Sequence, residues 1–396
     1  MEEMVLNWFQ YNPWVVWPIA VLVVVVAIQV WLHLHFLGGI AQESKRQLST
    51  TPSETASMMG VSVIVCAHDH ANALANHLPL LLNQDYPAFQ VIVVNDASTD
   101  ETEDVLQQFE SNPNFYHTFV PPGVRSISAR KMAMTIGIKA ATYDYVLFID
   151  PMGVPAGNRW LASMMGQVDS QVGVVLGYAS SGYKQDFWHR MVAYDYLLSA
   201  MNYLGLALKG LPYRAHPSNL AFRKDLFFSQ KGFSSHLFLK SGADDLLIRE
   251  MATSANVRVE LRQDSFVRIS KNASWSAWKS ELLNHFSTSS LYKPGVRFLL
   301  MLEGLTHLLF YVLTLFLLVL TIVNGYYAWL SVTAVLLMTR FVVQGIVINK
   351  TAKQLDESNF AFLFPIFDVV LPVVKGYIKL FNHSRKGNAY TWEVLK

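Results

Sequence analysis

The sequence predicts an α/β domain built on a doubly wound sheet and flanked on both sides by apolar helices that cross a membrane. The 396-residue chain is 52% hydrophobic and only 15% charged, which is too apolar for an ordinary soluble domain. The excess is concentrated in long apolar blocks near the two ends of the chain. Between them lie about 230 residues in which β-branched apolar runs alternate with helical spacing, and this alternation is typical of a parallel sheet covered by helices.

The first apolar block runs from Trp14 to Leu37, 24 residues without Asp, Glu, Lys or Arg. It is long enough to span a bilayer, and tryptophans near its ends suit the membrane interface. A cleaved signal peptide is the alternative, but the block is long, acidic residues precede it and no small-residue cleavage site follows. Lys45 and Arg46 come next, so the positive-inside rule places the following chain in the cytoplasm. We assign residues 1–40 to a membrane anchor and 41–59, a polar segment, to a linker.

The domain that follows, residues 60–290, begins with signals for strand, helix and strand. Val61 to Cys66 is a short β-branched run, as expected of a buried parallel strand. Asn72 to Gln84 carries apolar residues at helical spacing, and Val91 to Val94 is a second strand. An acidic helix start that Ser98 or Thr99 can cap comes next. This succession is the signature of a doubly wound sheet.

Two carboxylates stand where such a sheet binds its ligands. In doubly wound sheets, ligands lie beyond the carboxyl ends of the strands. Asp96 and Asp150 each follow the end of a predicted strand. Their position alone makes both of them candidates for a functional site.

The second apolar region starts near Val296 and predicts two spans. They run from Phe298 to Val323 and from Tyr326 to Ile348, with a tight turn at Asn324-Gly325. Charged residues inside such segments are costly and usually have pairing or functional roles. The candidates are Glu303, His307 and Arg340.

The last apolar segment, Phe360 to Phe381, contains one Asp, two Lys and two Pro. It is either a third carboxy-terminal span or a helix lying in the membrane interface. We assign 296–381 to membrane or interfacial helices and 382–396 to a cytoplasmic tail. The sequence thus predicts a multi-pass protein of the inner or plasma membrane with a cytoplasmic domain.

Two bulk properties limit the possible functions. The formal net charge is +2 and there is no dense basic run, so we expect no nucleic-acid partner. Cys66 is the only cysteine, which excludes an intrachain disulfide. Its place in an apolar strand indicates a small core residue rather than a redox centre.

Four stretches of the domain resemble family 2 glycosyltransferases, the inverting nucleotide-sugar enzymes of the GT-A fold. They are VSVIVCAHDH…LLNQDYPAFQVIVVNDASTDET, ARKMAMTIGIKAATYDYVLFID, SNLAFRKDLFFSQKGF and SGADDLL. The resemblance covers about residues 58–290. The arrangement of this domain with membrane helices on both sides resembles the branch of the family that includes cellulose and hyaluronan synthases. The resemblance implies a nucleotide-sugar donor and a lipid-linked or growing glycan acceptor at the cytoplasmic face.

The resemblance implies donor-side roles for three residues. Asp96 matches the aspartate that binds the base or ribose of the nucleotide. Asp150 matches the first aspartate of the D-x-D motif, which holds a divalent cation, Mg²⁺ or Mn²⁺, against the diphosphate. The second position is Met152, a poor ligand for a hard cation, so we expect weak or altered metal dependence. Arg130 falls where the family often has a basic residue near the donor, with simple surface exposure as the alternative.

Asp244 matches the family's catalytic base. Inversion requires a carboxylate that takes the proton from the acceptor hydroxyl as the hydroxyl attacks the anomeric carbon. Asp245 is the base instead if the alignment shifts by one residue. The preceding residue, usually acidic in the family, is Ala243. A solvated pair of loop acids is the non-functional alternative.

The acceptor side departs most from the family. The Q-x-x-R-W element aligns best with Glu281-Leu282-Leu283-Asn284-His285. His285 could contact an acceptor or, when protonated, a diphosphate. Trp278 could line a sugar channel, although anchoring at the membrane interface is at least as consistent with it. Asn219, in the stretch SNLAF, is placed on the acceptor side, as a polar residue that holds backbone rather than a catalytic one.

Two classes of function remain open at this point. The retained aspartates favour a membrane-bound inverting glycosyltransferase. The replacements favour a non-catalytic relative that binds a nucleotide or glycan as the partner of an active transferase; they are Met152, Ala243, Glu281 and Asn284. An unrelated transporter is disfavoured because the spans are few and the globular domain is large.

Overall fold

A computed structural model describes residues 13–49, 59–121, 128–180, 186–237, 239, 241–270 and 274–382. The predicted tail beyond residue 382 and residues 50–58 of the predicted linker lie outside this described part. The domain between the apolar helices is a mixed sheet with helices on both faces. The α/β fold predicted from the sequence is therefore confirmed.

Within the described ranges, seven strands form the main sheet, in the spatial order β3-β2-β1-β4-β8-β6-β9. The first four in this order are parallel, and β8 runs antiparallel to both β4 and β6. The strands are β1 (Val61–Ala67), β2 (Phe89–Asn95), β3 (Phe115–Phe119), β4 (Tyr145–Phe148), β6 (Val174–Leu176), β8 (Leu220–Arg223) and β9 (Val257–Val259). A small second sheet has the order β5-β10-β7, made of Gly153–Pro155, Val267–Ile269 and Ala179–Ser180.

Alternation along the central strands divides the core in two. On β1, Val63 and Val65 point to the core layer that contains the first crossover helix, Ala71–Leu82, whereas Ile64 points to the layer with the helix Ala129–Ala140. Successive side chains of a strand face opposite sides, so a strand buried on both faces is apolar throughout. The layer on the Ile64 side also contains the long helix Phe187–Leu208 and the inner ends of the apolar helices. The domain and the membrane-suited helices therefore share one core.

The helices of the described residues fall into an amino-terminal group, a group within the domain and a carboxy-terminal group. The amino-terminal helices are α1 (Pro13–Leu32) and α2 (Gly39–Leu48), joined by a π-helical turn at His33–Leu37. Within the domain lie α3 (Ala71–Leu82), α4 (Thr102–Gln107), α5 (Ala129–Ala140), α6 (Trp160–Met165), α7 (Phe187–Leu208), α8 (Lys224–Ser229), α9 (Asp245–Met251) and α10 (Trp275–Thr288). The carboxy-terminal helices are α11 (Pro294–Val323), α12 (Tyr327–Gln354) and α13 (Phe364–Asn382).

The prediction of a linker over residues 41–59 is wrong for residues 41–48, because they belong to α2. Gln47 is buried, and its amide bonds to the backbone of the domain at Val259 O (2.7 Å) and Leu261 N (2.8 Å). Ser44 donates to Leu261 O at 3.3 Å. Polar residues here satisfy buried backbone groups of a neighbouring segment, so their polarity does not indicate a free linker.

Three helices in the described part of the chain are long and apolar enough to cross a membrane: Trp14–Leu48, Pro294–Val323 and Tyr327–Gln354. They correspond to the three predicted spans. The helix α13 is not among them, and it carries Asp368, Lys375 and Lys379. Its exposed side chains form an apolar row, Ile366, Val369, Val373, Tyr377 and Leu380. This amphipathic character favours the interfacial alternative for α13.

The charged residues of the apolar helices pair with one another. Arg340 of α12 forms an ion pair with Asp368 of α13 at 2.7 Å, and both are buried. His307 of α11 bonds to Asp368 O at 3.0 Å, and Gln344 Nε2 donates to Asp368 Oδ1 at 2.8 Å. Glu303 is hydrogen-bonded to Asn202 of the domain. These residues hold the carboxy-terminal helices to one another and to the domain.

The helix α7 connects the domain to the amino-terminal helices. At Gly205 an added Cβ would lie 2.5 Å from Phe36 O, so only glycine permits this approach of the two helices. Polar residues on α7 reach other elements on the same side of the domain, and they are Asp195, Tyr196, Ser199 and Asn202. Two of them, Tyr196 and Ser199, position side chains of the site described next.

Candidate active site

Asp96 lies at the carboxyl end of β2 and is nearly buried. Its backbone N–H donates to Ala67 O at 2.8 Å, which ties it to the end of β1. The next residue, Ala97, has φ +52°, so the chain turns sharply after the aspartate. His68 Nδ1 lies 2.5 Å from Asp96 O. The carboxyl ends of two neighbouring parallel strands therefore fix Asp96 at the edge where ligands bind in such sheets.

Asp150 follows β4 and begins a tight turn into β5. Its Oδ1 accepts the Met152 N–H at 2.9 Å, and its carbonyl accepts the Gly153 N–H at 2.7 Å. The other carboxylate oxygen, Oδ2, has no hydrogen-bond partner among the described residues. The turn thus uses one oxygen of Asp150 and presents the other.

The residues around Asp150 fit a divalent cation only as a shared site. No group of three or more His, Cys, Asp or Glu side chains able to hold a metal occurs in the described ranges. Mg²⁺ commonly takes one or two carboxylates and completes its shell with substrate phosphates and water. One oxygen of Asp150 fits this pattern, and the Met152 thioether does not add a ligand for a hard cation.

The two adjacent acids after residue 243 have different environments. Asp245 is buried, and its carboxylate accepts hydrogen bonds from Tyr292 Oη (2.9 Å), Thr288 Oγ1 and its neighbour Leu246 N (2.8 Å). Asp244 is half-buried, and its carboxylate has no hydrogen-bond partner in the described part of the chain. Asp245 therefore ties α9 to α10, which argues against its predicted alternative role as the base. Asp244 is the available carboxylate.

Several charges act on Asp244. Burial raises the pKa of its carboxyl group, and the charge of Asp245 raises it further. His285, Arg130 and Arg214 act in the opposite direction, but the pKa remains above its ordinary value. A carboxylate with a raised pKa is a better proton acceptor. The geometry therefore brings Arg130 and His285, both predicted site residues, close enough to influence the predicted base.

Arg130 lies in the first turn of α5 and is partly buried. Its charge also acts on Cys66, at the end of β1, and on His216. The charge of Arg130 therefore acts both at the end of β1 and on Asp244. This placement does not support the alternative of a freely exposed surface residue.

Glu281, on α10, is the centre of a side-chain network. Its Oε2 accepts the Tyr196 hydroxyl at 2.6 Å, and its Oε1 lies 3.6 Å from Arg214 Nη2 and 3.5 Å from His285 Nε2. Burial by itself would raise the pKa of Glu281, but His285, Arg214 and Tyr196 outweigh it and lower the pKa to about 2. Glu281 is therefore an anion at every physiological pH.

Arg214 and His216 were not identified from the sequence. Both are in the segment PYRAHPS between α7 and β8. Arg214 Nη1 donates to Ser199 Oγ at 2.8 Å, and the charges of Asp244 and Glu281 overcome burial and raise its pKa. Burial lowers the pKa of His216 to about 4, and the charges acting on it include those of Arg214 and Asp150. An arginine in an otherwise weakly polar segment was the only available sequence signal.

Two predicted acceptor-side residues are structural instead. Asn219 is fully buried: its Nδ2 donates to Tyr178 O and Ser265 O, both at 2.8 Å, and its Oδ1 accepts from Trp160 Nε1 at 3.2 Å. The other residue, Trp278, is also buried. The acceptor-side role of Asn219 is not supported, because its amide is committed to the core, as the backbone-holding alternative anticipated.

The Trp278 indole is enclosed by other aromatic rings. Its centroid lies 5.2 Å from that of Trp188 and 5.6 Å from that of Trp275. Its Nε1–H donates to Asp195 Oδ2 at 2.8 Å. A buried ring with a satisfied N–H cannot line an open sugar channel, so this prediction is not supported either. Of the three predicted acceptor-side residues, His285 is the one whose charge acts on Asp244.

Lys131, next to Arg130, holds the segment that leads to Asp244. Its buried ammonium donates to His236 O at 2.7 Å and to Leu239 O at 2.8 Å. Burial lowers its pKa to about 8, opposed by the charges of Asp245 and Asp244. Lys131 is thus used within the fold, and Arg130 is the residue of this pair that faces the site.

Comparison with known proteins shows similarity to glycosyltransferases. Residues 62–228 match the sequence profile of Glycosyl transferase family 2. A stretch of 111 residues is 29% identical to the poly-beta-1,6-N-acetyl-D-glucosamine synthase of Staphylococcus epidermidis, covering 28% of this chain and 26% of that protein. A stretch of 126 residues is 29% identical to the chondroitin synthase of Escherichia coli, covering 31% of this chain and 17% of that protein. The similarity thus spans about a quarter or less of these relatives.

Among solved structures, the fold resembles a mannosyltransferase, PcManGT from Pyrobaculum calidifontis, determined in complex with GDP-Man and Mn²⁺. The TM-score is 0.52 at 18% identity, over 91% of this chain and 99% of that one. At this identity the likeness concerns the fold, and it agrees with the predicted GT-A architecture.

Proposed function

The chain carries a glycosyl transferase family 2 domain, and from this premise we propose that it is a membrane-bound inverting glycosyltransferase. It would move a sugar from a nucleotide-sugar donor to a lipid-linked or growing glycan acceptor at the cytoplasmic face. The relatives named above are synthases of polysaccharides, and the similar mannosyltransferase was solved with a GDP-sugar. Both facts support this class of donor and acceptor.

The observation that carries the proposal is the state of Asp244. Its carboxylate is uncommitted, its pKa is raised by burial and by Asp245, and cationic groups lie around it. The strand-end carboxylates Asp96 and Asp150 complete the set. A free base of raised pKa next to cations is what proton removal and departure of an anionic leaving group require.

The reaction assigns each group one task. Asp96 accepts hydrogen bonds from the base or ribose of the donor, and Asp150 and Arg130 lie at its diphosphate. Asp244 takes the proton of the acceptor hydroxyl while the oxygen bonds to the anomeric carbon. The bond from that carbon to the diphosphate oxygen breaks on the opposite face, and its electron pair leaves with the nucleoside diphosphate. Attack from the opposite face inverts the configuration.

Among the described residues, the Oδ2 atom of Asp150 is the one that we assign as a protein ligand of a divalent cation. When bound there together with the diphosphate, Mg²⁺ or Mn²⁺ would neutralise charge on the leaving group. Because the neighbouring side chain is Met152, the protein contributes few ligands and the donor contributes the rest. We therefore propose metal binding that depends on the nucleotide.

The replacements at four positions support a second candidate function. Met152, Ala243, Glu281 and Asn284 all depart from the family pattern, and Asn284 provides no positive charge. A chain of this kind could bind a nucleotide or glycan and act as the partner of an active transferase. The available carboxylate of Asp244 is the observation against it.

One experiment separates the two candidates. The protein, purified in detergent, is incubated with a panel of UDP- and GDP-sugars in Mg²⁺, in Mn²⁺ and with a chelator, and donor binding and hydrolysis are measured. Hydrolysis of one donor that is lost in Asp244→Asn would establish the enzyme and its donor. Binding without hydrolysis calls for the acceptor, a membrane extract or glycan primer, to be added. If no donor in the panel is bound or turned over, the result favours the non-catalytic partner.

A further inference from the structure

The candidate site contains more negative charge than its nearby cations balance. Asp96, Asp150 and Asp244 contribute three carboxylates, and a nucleoside diphosphate adds further negative charge. The basic side chains whose charge acts on Asp244 are His285, Arg130 and Arg214. Lys131 is engaged with two backbone carbonyls and is not available. Besides Arg130, Arg214 is therefore the other arginine among the described residues whose charge acts on Asp244.

Arg214 is held in place but has unused donors. It is 8% exposed, and Nη1 is anchored on Ser199 Oγ. Its Nε is buried without a hydrogen-bond partner in the described part of the molecule. Its Nη2 lies 3.6 Å from Glu281 Oε1, beyond hydrogen-bond reach. The Nε–Nη2 edge of a guanidinium is the fork that matches two oxygens of a phosphate or carboxylate.

The charges that act on Arg214 and on His216 relate Arg214 to the other charged residues of the site. Asp244 has the largest effect among the charges that raise its pKa, followed by Glu281. The charges that act on His216 include Glu281, Arg214, Asp150 and Arg130. The charges of Arg214 and Glu281 and those of Asp150 and Arg130 thus all act on one residue, His216. Arg214 therefore belongs to the same cluster of charges as Asp150 and Arg130, which we assign to the diphosphate of the proposed donor.

We propose that Arg214 binds the diphosphate of the nucleotide through its unused Nε–Nη2 edge, with Glu281 as the residue that positions it. The inference rests on the function proposed above. Ser199 and Glu281 hold the guanidinium in place before the ligand arrives, and Tyr196 in turn holds Glu281. When the glycosidic carbon–oxygen bond breaks, the electron pair moves to the phosphate oxygen, and Arg214 stabilises that charge by donating hydrogen bonds.

The test is a comparison of nucleotide binding by titration calorimetry with the full chain in detergent. The probes are UDP and UMP, and GDP and GMP, so that each pair differs only in one phosphate. We expect the wild type to prefer the diphosphate. In Arg214→Gln, diphosphate affinity should fall about 10–100-fold because a charged hydrogen-bonding group is lost, with monophosphate affinity little changed. The matched control is Arg223→Gln, which removes an arginine paired with the exposed Asp225 and should leave the preference unchanged.

The outcomes distinguish this inference from the proposed function. If the wild type binds none of the four nucleotides, the proposed function fails. If the wild type prefers the diphosphate and folded Arg214→Gln keeps the same preference, the inference about Arg214 is overturned. If Arg214→Gln does not fold, Arg214→Lys decides the question. Lysine keeps the charge and loses the fork, so the diphosphate preference should fall several-fold, and an unchanged preference would overturn the inference.

Discussion

The strand-end half of the site, with Asp96 and Asp150, is held by backbone hydrogen bonds, whereas the helix half, with Asp244, Arg214 and Glu281, is held by contacts between side chains. Asp96 and Asp150 sit where strands end, and each makes its fixing bonds with residues of the sheet or its turns. The helix half collects side chains from α7, the following loop, α9 and α10. A change of one residue should therefore have local effects in the first half and propagate in the second.

The two halves of the site also differ in how the departures from the family pattern fit into the structure. In the strand-end half, replacing a side chain leaves the backbone turn intact, as at Met152, whose N–H still bonds to Asp150. In the helix half the charges depend on one another, because Glu281 is paired with both Arg214 and His285. A replacement at one of these positions therefore requires another cation or anion nearby, and Arg214 provides a cation that Asn284 does not.

The largest effect in the helix half is expected for Asp244→Asn. Loss of a positioned base should reduce kcat by about 10²–10⁴-fold, with little change in donor KM, because Asp244 is assigned to the acceptor hydroxyl and not to the donor. Steady-state kinetics with the donor found in the screen provides the measurement. The matched variant, Asp245→Asn, should instead lower the thermal stability, since Asp245 is the buried tie to Thr288 and Tyr292. Full transfer activity in Asp244→Asn would refute the assignment of the base.

A stability effect is expected where the helix half meets α13. Asp195 is buried, accepts the Trp278 N–H and pairs with Lys375. Asp195→Ala leaves both partners without an acceptor and should destabilise the protein by about 1–3 kcal/mol, measured by thermal unfolding in detergent. Asp225→Ala, which breaks the more exposed pair with Arg223, should cost no more than about 1 kcal/mol. Equal shifts in the two variants would mean that α13 does not depend on this contact.

Arg130 links the two halves, and its removal should change the pH dependence. Burial and Asp245 raise the pKa of Asp244, and the positive charge of Arg130 opposes them. The base is active when ionised, so kcat/KM should fall as pH falls through this raised pKa. In Arg130→Gln the pKa should rise further, and the acid limb of the kcat/KM profile should move to higher pH. The control is Arg159→Gln, which removes an exposed arginine. If the acid limb of the profile does not move in Arg130→Gln, the charge of Arg130 does not influence the base.

The smallest effect is expected in the strand-end half at Met152. Met152→Asp adds a carboxylate beside Asp150 and should tighten Mn²⁺ binding in the presence of nucleotide several-fold, since hard cations prefer oxygen ligands. Manganese titration followed by electron paramagnetic resonance measures this affinity. Met152→Leu, which adds no oxygen, should resemble the wild type. Unchanged Mn²⁺ affinity in Met152→Asp would count against a metal at Asp150.

The sequence predicted the elements that depend on local pattern. The β-branched runs of β1 and β2, the apolar lengths of three helices and the position of Asp96 and Asp150 at strand ends all follow from periodicity within a few residues. The choice between Asp244 and Asp245 as the base does not follow from local pattern, because the two acids are adjacent and share the same local sequence. Only the hydrogen bonds from Thr288 and Tyr292, more than 40 positions away, separate the two acids.

What the sequence by itself determined is the α/β domain, its apolar helices and the strand-end half of the site. The tertiary structure alone decided that Asn219 and Trp278 are buried, that residues 41–48 are helix rather than linker, and that Arg214 joins Glu281. The physical reason is the separation of the partners: Tyr196 and Glu281 are 85 positions apart, and Gln47 and Leu261 are 214. Local periodicity reports which face of an element is buried, but the folded chain decides which distant polar groups satisfy one another.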